Sequence, residues 1–341
     1  MNREILVGDV LEKIKEIPDK TIDCVITSPP YWSLRDYSVE GQWGLEPDFH
    51  QYLAKMGRLM DELRRVLKDT GTCWINLGDT YSGSGKGAGT ADCKESWRPD
   101  KRPKMNETIT AKSRVGIPER FYINCIDSGW IARNNIVWAK NNTMPSSVKD
   151  RFTNKYESVF FFVKQQKYYF NLDAVREKSI TPTKQFNVRV RDSNTQRFLQ
   201  GATEQEKLTH NKKGEKLGQL QHHTDYNKDR KSERKNGKDH DNPFGNPNGK
   251  NPGDLFQINT TPYKEAHFAV FPEQLPTKIL KCGCKPGGIV LDCFFGSGTV
   301  GEAAEKLGLR WIGIELNKEY VKLAKKRLGP YLNQTRLELE A

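Results

Sequence analysis

No stretch of the 341-residue sequence sustains the roughly 18 apolar residues that a bilayer-spanning helix needs, which excludes a membrane segment of that kind. Met1-Asn2-Arg3-Glu4 leads into a strand-like segment and lacks the charged-then-apolar order of a secretion signal. Cysteine is sparse and odd in number: Cys24, Cys73, Cys93, Cys125, Cys282, Cys284 and Cys293 are scattered, which excludes a disulfide framework and suits buried thiols in a reducing cytoplasm. The one close pair, Cys282-Gly283-Cys284, has a single spacer where zinc ligands have about two to four. His210, His222, His223 and His240, four of only six histidines, also lack metal-ligand spacing, so no metal is expected. Gly83-Ser84-Gly85-Lys86-Gly87 has no Ser or Thr after its lysine and no glycine five before Gly85, which excludes a phosphate loop.

What the sequence does have is positive charge and a clear alternation of elements. The 55 Lys+Arg against 43 Asp+Glu leave a formal +12 and a pI near 9.2, suited to a polyanionic partner. Ile5–Val7, Cys24–Ile26, Cys73–Leu77, Asn135–Trp138 and Ser158–Val163 read as strands, and Tyr52–Leu67 as an amphipathic helix stopped by Gly71. Past Pro252, Gly288–Phe294 and Arg310–Glu315 read as strands, with helices over Thr299–Leu307 and Lys318–Leu328. This is the pattern of an α/β sheet domain. Two segments interrupt it. Residues 81–114 are rich in Gly, Ser, Lys and Asp and are expected to form a mobile loop above the sheet. Residues 181–250 carry 15 Lys or Arg against 9 Asp or Glu, half of the chain's excess positive charge, and bury little core alone. They are either a recognition region or a solvated insertion.

Two motifs carry chemistry. Thr27-Ser28-Pro29-Pro30-Tyr31-Trp32 leaves a strand end as a rigid loop: the prolines fix φ and present carbonyls, and Tyr31 and Trp32 offer flat faces for stacking a base. A Pro-rich turn is the plain alternative. Phe295-Gly296-Ser297-Gly298-Thr299-Val300-Gly301 has G-x-G-x-x-G spacing after a strand, and Glu315 ends the next strand. That arrangement lets backbone approach an adenosine-bearing ligand, NAD or S-adenosylmethionine, while the acid takes its ribose hydroxyls; the alternative is a tight turn that needs glycine for packing. A dinucleotide-binding domain opens with this loop and continues through further βα units, but here only the residues to Ala341 follow Glu315. The completing strands are therefore expected from the N-terminal half.

With these motifs in this order, the chain resembles the permuted (β-class) amino DNA methyltransferases. These carry a D/S/N-P-P-Y/F/W loop early, a variable target-recognition region in the middle and an F-x-G-x-G cofactor loop late. The matching residues are Ser28–Tyr31, Thr181–Lys250 and Phe294–Gly298, and the likeness extends to Ala266–Leu275 and Asn141–Tyr156. The resemblance implies an α/β, Rossmann-like, S-adenosylmethionine-dependent methyltransferase fold, circularly permuted, with a mixed, mostly parallel sheet and helices on both faces. It divides the chain into a catalytic half (1–178), a target-recognition region (179–251) and a cofactor half (252–341). It implies double-stranded DNA as partner, a cytoplasmic prokaryotic or viral protein, a monomer or weak homodimer, and a cognate restriction endonuclease acting on the same site. The loop around Lys86 then becomes a DNA-facing lid.

The implied reaction moves a methyl group from S-adenosylmethionine to an exocyclic amine of a base rotated out of the duplex. Ser28 and the Pro29 carbonyl would accept the amine N–H groups, Pro30 would shape the loop, and Tyr31 would stack on the base. Asp79 is either a second acceptor for the amine proton or an Asp bonded to its own turn. No covalent intermediate is needed, and none of the cysteines follows a proline, as the ring-carbon methyltransferases require. On the cofactor side, Thr27, Asp292, Gly296 and Gly298 would surround the methionine moiety, Thr299 would meet its carboxylate at a helix N-terminus, and Glu315 would bind the ribose. Asp9 is either an adenine neighbour or a helix N-cap; Phe271 and Phe294 are either pocket walls or core. Serine in place of aspartate at position 28, with Trp32 and Arg35-Asp36-Tyr37 after it, resembles the cytosine-N4 group. Adenine as target, and a non-catalytic nucleic-acid-binding protein of the same fold, remain the alternatives.

Overall fold

A computed structural model describes residues 3–83, 109–143, 146–178, 248–260 and 271–332. The chain divides into two compact units, Met1–Val175 with Pro252–Ala341, and Arg176–Asn251. In the second unit the described residues include an antiparallel bridge between Glu177 and Lys250. Most of the 179–251 region, residues 84–108 of the expected loop, and 261–270 with His267 lie outside the described residues.

The first unit is built on one eight-stranded sheet: β1 (Arg3–Val7), β2 (Ile22–Thr27), β3 (Leu67–Leu77), β4 (Ile131–Ala139), β5 (Tyr156–Val163), β6 (Leu255–Gln257), β7 (Ile289–Asp292) and β8 (Arg310–Glu315). Their order across the sheet is β1-β8-β7-β2-β3-β5-β4-β6. All neighbours are parallel except those of β5, which runs against both β3 and β4. The late strands β7 and β8 thus lie between the early strands β1 and β2, which is the permutation expected from the motif order. β2 is buried along its whole length, as a central parallel strand flanked by helices on both faces should be.

Side-chain alternation along the strands feeds two cores. Val25, Cys73 and Ile75 pack under helices Phe49–Val66 and Ile117–Asp127. Cys24, Ile26 and Trp74 face the opposite way, toward helices Gln274–Gly283, Thr299–Lys306 and Lys318–Leu332. Trp74 stacks on its cross-strand partner Phe161 at 3.9 Å and 3°, fixing the register of the reversed strand.

Two details differ from the pattern reading. Gly71 does not stop the helix: Val66 ends it, Leu67 turns extended, and Gly71 lies inside β3. A Cβ at Gly71 would stand 2.6 Å from Leu67 Cδ1 and 3.0 Å from the Asp23 carbonyl, so this glycine permits a close backbone approach. Trp32 is not a stacking face: it is 2% exposed, edge-on to Phe49, and donates its indole N–H to the Glu46 carbonyl at 3.0 Å. Among the described residues no helix is long and apolar enough to cross a membrane.

Candidate active site

The order of strand connection reverses between the parallel neighbours β7 and β2: β7 continues outward to β8, β2 outward the other way to β3. Such a switch point opens a crevice at the carboxyl ends of the strands. A cleft of about 270 Å³ lies there, lined from one side by Ser28–Tyr31 and Asn76 and from the other by Asp292–Ser297 and Glu315–Asn317.

On the first side, a hydrogen-bond network surrounds Ser28. The Asn76 amide nitrogen donates to the Ser158 carbonyl at 3.1 Å, which turns its Oδ1 toward Ser28 and Tyr31. Ser28 Oγ donates to that oxygen at 3.1 Å. Tyr31 has one hydroxyl proton and two acceptors, Asn76 Oδ1 and Glu157 Oε2, each at 2.7 Å. Burial, and then Glu157, push its pKa far above the usual phenol value, so it stays protonated. Glu157 is ion-paired with Lys140, whose ammonium lies 4.1 Å over the Trp138 ring. Tyr31 fits because position 78 is glycine: a Cβ there would meet its ring at 2.5 Å. The Pro30 carbonyl is taken by the Tyr52 hydroxyl at 2.9 Å, whereas among the described residues nothing donates to the Pro29 carbonyl.

The second side is acidic and glycine-shaped. Asp292 is 3% exposed; its Oδ1 accepts from Thr27 Oγ1 at 2.7 Å and from the Phe294 N–H at 3.1 Å. Burial raises its pKa to about 7, with the nearby Glu315 adding to the shift. Burial also raises Glu315, whose two oxygens accept from the Gly296 and Asn317 N–H groups, each at 2.7 Å. Gly298 takes φ +80° as the N-cap of helix Thr299–Lys306, and a Cβ there would press on Ala324 at 3.1 Å. Gly313 leaves room for Phe295, whose ring a Cβ would strike at 2.3 Å. Arg327 donates to the Ser297 carbonyl and to Thr299 Oγ1, bracing the loop from behind. Cys293 also lines the cleft, but burial holds it as a neutral thiol.

Of the residues singled out in the sequence, Asp9, Ser28, Pro29, Pro30, Tyr31, Phe271, Asp292, Phe294, Gly296, Thr299 and Glu315 line this cleft; Thr27 is joined to it through Asp292, and Gly298 shapes it as a cap. Asp9 is the N-cap of helix Val10–Lys13, its Oδ1 accepting from Leu11 N at 2.8 Å, and it also borders the cleft, where its Oδ2 accepts from Trp43 Nε1 at 3.0 Å and Trp43 packs edge-on to Phe294. Asp79 does not join them. Its side chain is outside the cleft lining and fully committed: it pairs with Arg114 at 2.8 Å and accepts from the Gly116 and Ile117 N–H groups, capping helix Ile117–Asp127. Asn76, Lys140 and Glu157 join the site without having been singled out. No local pattern marks them, because they meet only through the β3–β5–β4 pairing. The ends of the 81–114 segment are stitched together, Ser82 N to the Ser113 carbonyl and Lys112 N to the Ser82 carbonyl, both at 2.8 Å.

Comparison with known proteins agrees with this geometry. The DNA methylase family of the N6/N4 type matches residues 22–326. Type II methyltransferase M.SmaI of Serratia marcescens is 33% identical over 95% of this chain and 90% of its own, and M.Cfr9I of Citrobacter freundii is 34% identical over 94% and 86%. In fold, the chain is similar to the PvuII DNA methyltransferase (cytosine-N4-specific), with TM-score 0.59, 19% identity and coverage of 96% and 86%. It is likewise similar to a candidate DNA modification methylase of Thermus thermophilus complexed with S-adenosyl-L-methionine, with TM-score 0.54, 19% identity and coverage of 98% and 97%. With sheet order, crevice and motif positions in accord, the chain belongs to the N6/N4 DNA methylase family of DNA methyltransferases.

Proposed function

We propose that this DNA methyltransferase transfers a methyl group from S-adenosylmethionine to the exocyclic amine of cytosine in a short duplex sequence, with the target nucleotide rotated into the crevice between β2 and β7. The observation that carries the reading is the position of Ser28: it faces, across one cleft, the acidic glycine-loop wall of Asp292 and Glu315.

The cofactor wall fits its ligand. S-adenosylmethionine is a sulfonium and ammonium cation with a ribose diol, and the wall offers two buried carboxylates held rigid by backbone N–H groups. Each Glu315 oxygen accepts one such bond and keeps a further lone pair for a ribose hydroxyl. Asp292, Thr27 and the Gly296–Gly298 turn would hold the methionine end, with Thr299 at the helix N-terminus beside it. Asp9, Phe294 and Phe271 would wall the adenosine. When bound, the cofactor supplies an electrophilic methyl group.

Amine activation falls to the chain's own residues. The exocyclic amine is a weak nucleophile because its lone pair is delocalised into the ring. Ser28 gives its own proton to Asn76, so its oxygen faces the amine as an acceptor only. The Pro29 carbonyl supplies a second acceptor. Two acceptors on the two N–H groups favour the pyramidal amine whose lone pair can attack, the proton shed by the methylated amine passes to water, and the rest of the rate is positioning. Among the described residues the cysteine that lines the cleft, Cys293, is held as a neutral thiol by burial, and direct transfer to the amine needs no thiolate.

Cytosine is favoured because position 28 is serine rather than aspartate, and the PvuII enzyme, similar in fold, is cytosine-N4-specific. Nucleoside analysis of mixed DNA incubated with the protein and labelled S-adenosylmethionine tests this. N4-methylcytosine is the expected product, and N6-methyladenine would overturn the base assignment.

A further inference from the structure

Three large apolar side chains left open to solvent lie between β4 and the start of β5: Val148 at 39%, Phe152 at 96% and Tyr156 at 49% exposed. An almost wholly exposed phenylalanine forgoes burial to a greater degree than Tyr156 at 49% or Phe170 at 40%, and far more than core rings such as Phe160, Phe161 and Phe162. The backbone around it is nonetheless anchored on both flanks. Lys112 pairs with Asp150 at 2.7 Å, the Arg151 guanidinium lies 3.9 Å over the Tyr81 ring, and the Tyr81 hydroxyl donates to Asn154 Oδ1 at 3.2 Å. Lys140 N donates to the Lys155 carbonyl at 2.7 Å, closing the loop at its base. Lys149, Arg151 and Lys155, all exposed, stand within three residues of Phe152 along the chain.

This loop leaves the carboxyl end of β4, which runs the same way as β3, and so stands at the end of the sheet where the crevice opens. Lys140, just past β4, and Glu157, the second residue of β5, both line the cleft. A duplex that delivers a nucleotide into the cleft must lie against this rim. Rotating one nucleotide out leaves a gap between two base pairs and an unpaired partner base, and an apolar ring can fill such a gap while cations hold the phosphates beside it. Resting on the base-rotation reading above, we infer that Phe152 enters the base stack at the position the target nucleotide vacates. Its contribution is ring surface rather than hydrogen bonding, so it serves extrusion and not sequence choice.

The test compares wild type, Phe152→Ala and Phe152→Trp on two duplexes carrying the protein's own site, mapped first from the DNA it methylates. In one the target base is normally paired; in the other it faces an abasic position, so that little pairing has to be broken. Phe152→Ala should lower kcat/KM on the paired duplex by about tenfold or more and return close to wild type on the abasic duplex. Phe152→Trp should keep most activity, and melting temperature should not change, since the side chain is almost wholly exposed. An Ala variant equal to wild type on the paired duplex, or equally impaired on both duplexes, overturns the inference alone. A wild type that binds its cofactor but methylates no DNA overturns the proposed function and this inference with it.

Discussion

Thr27, the last residue of β2, donates its hydroxyl proton to Asp292, the last residue of β7, over 2.7 Å. The two residues are 265 positions apart, and the bond pins the early and late halves of the chain together at the floor of the crevice. It also bears on the state of a buried acid. Asp292 is neutral or ionised according to a pKa of about 7 rather than its ordinary 3.8.

That shift has a signed consequence. An acid whose pKa is raised by folding stabilises the folded state below its unfolded pKa, and that contribution is lost as pH rises through the folded value. Without cofactor, the protein should therefore lose stability, on the order of a few kcal/mol, between about pH 4 and about pH 7. Asp292→Asn should flatten that part of the profile in thermal melts. The cationic cofactor prefers the ionised form, so its affinity should rise across the same window in wild type and stay level in the variant.

Asp79 should behave as a structural residue. Asp79→Ala strands the Gly116 and Ile117 N–H groups and the Arg114 guanidinium, at a cost of about 2 kcal/mol. A melting temperature lowered by several degrees, with kcat per folded molecule within about twofold of wild type, is the expected pair of results. A large fall in kcat at unchanged stability would return Asp79 to the chemistry.

Glu157 and Tyr31 should be coupled. Tyr31→Phe removes the hydroxyl shared between Asn76 and Glu157, and Glu157→Gln breaks the ion pair with Lys140 while keeping an acceptor. Each single change should lower kcat by about tenfold, and the double variant should lose less than the two effects combined. Cofactor affinity, measured by titration, should not move in any of the three.

Much of this was legible in the sequence because it is local. The strand-glycine loop-strand-acid run from Ile289 to Glu315 and the Ser28–Tyr31 turn each specify backbone shape within a few residues, and both stand where that shape puts them. Phe271 and Phe294 border the cleft and pack against the cores at once, so the two roles that local pattern could not separate are shared by the same rings. The two readings of Asp79 could not be separated from sequence for the opposite reason: its partners belong to a helix distant along the chain. Asn76, Lys140 and Glu157 could not be found, since the antiparallel insertion of β5 between β3 and β4 is a tertiary fact. Gly71 was misread because a glycine after a helix and a glycine inside a closely packed strand look alike in sequence.

The central claim is that one crevice has a base side, at Ser28, and a cofactor side, at Glu315. Measuring cofactor dissociation constant and turnover together for Ser28→Ala and Glu315→Ala tests it most directly. Ser28→Ala should reduce turnover by about a hundredfold or more with an unchanged dissociation constant. Glu315→Ala should weaken cofactor binding by about tenfold or more, through loss of both the ribose acceptor and the anchor of the Gly296 loop. Parallel loss of both quantities in Ser28→Ala, or an unchanged dissociation constant in Glu315→Ala, would contradict the division.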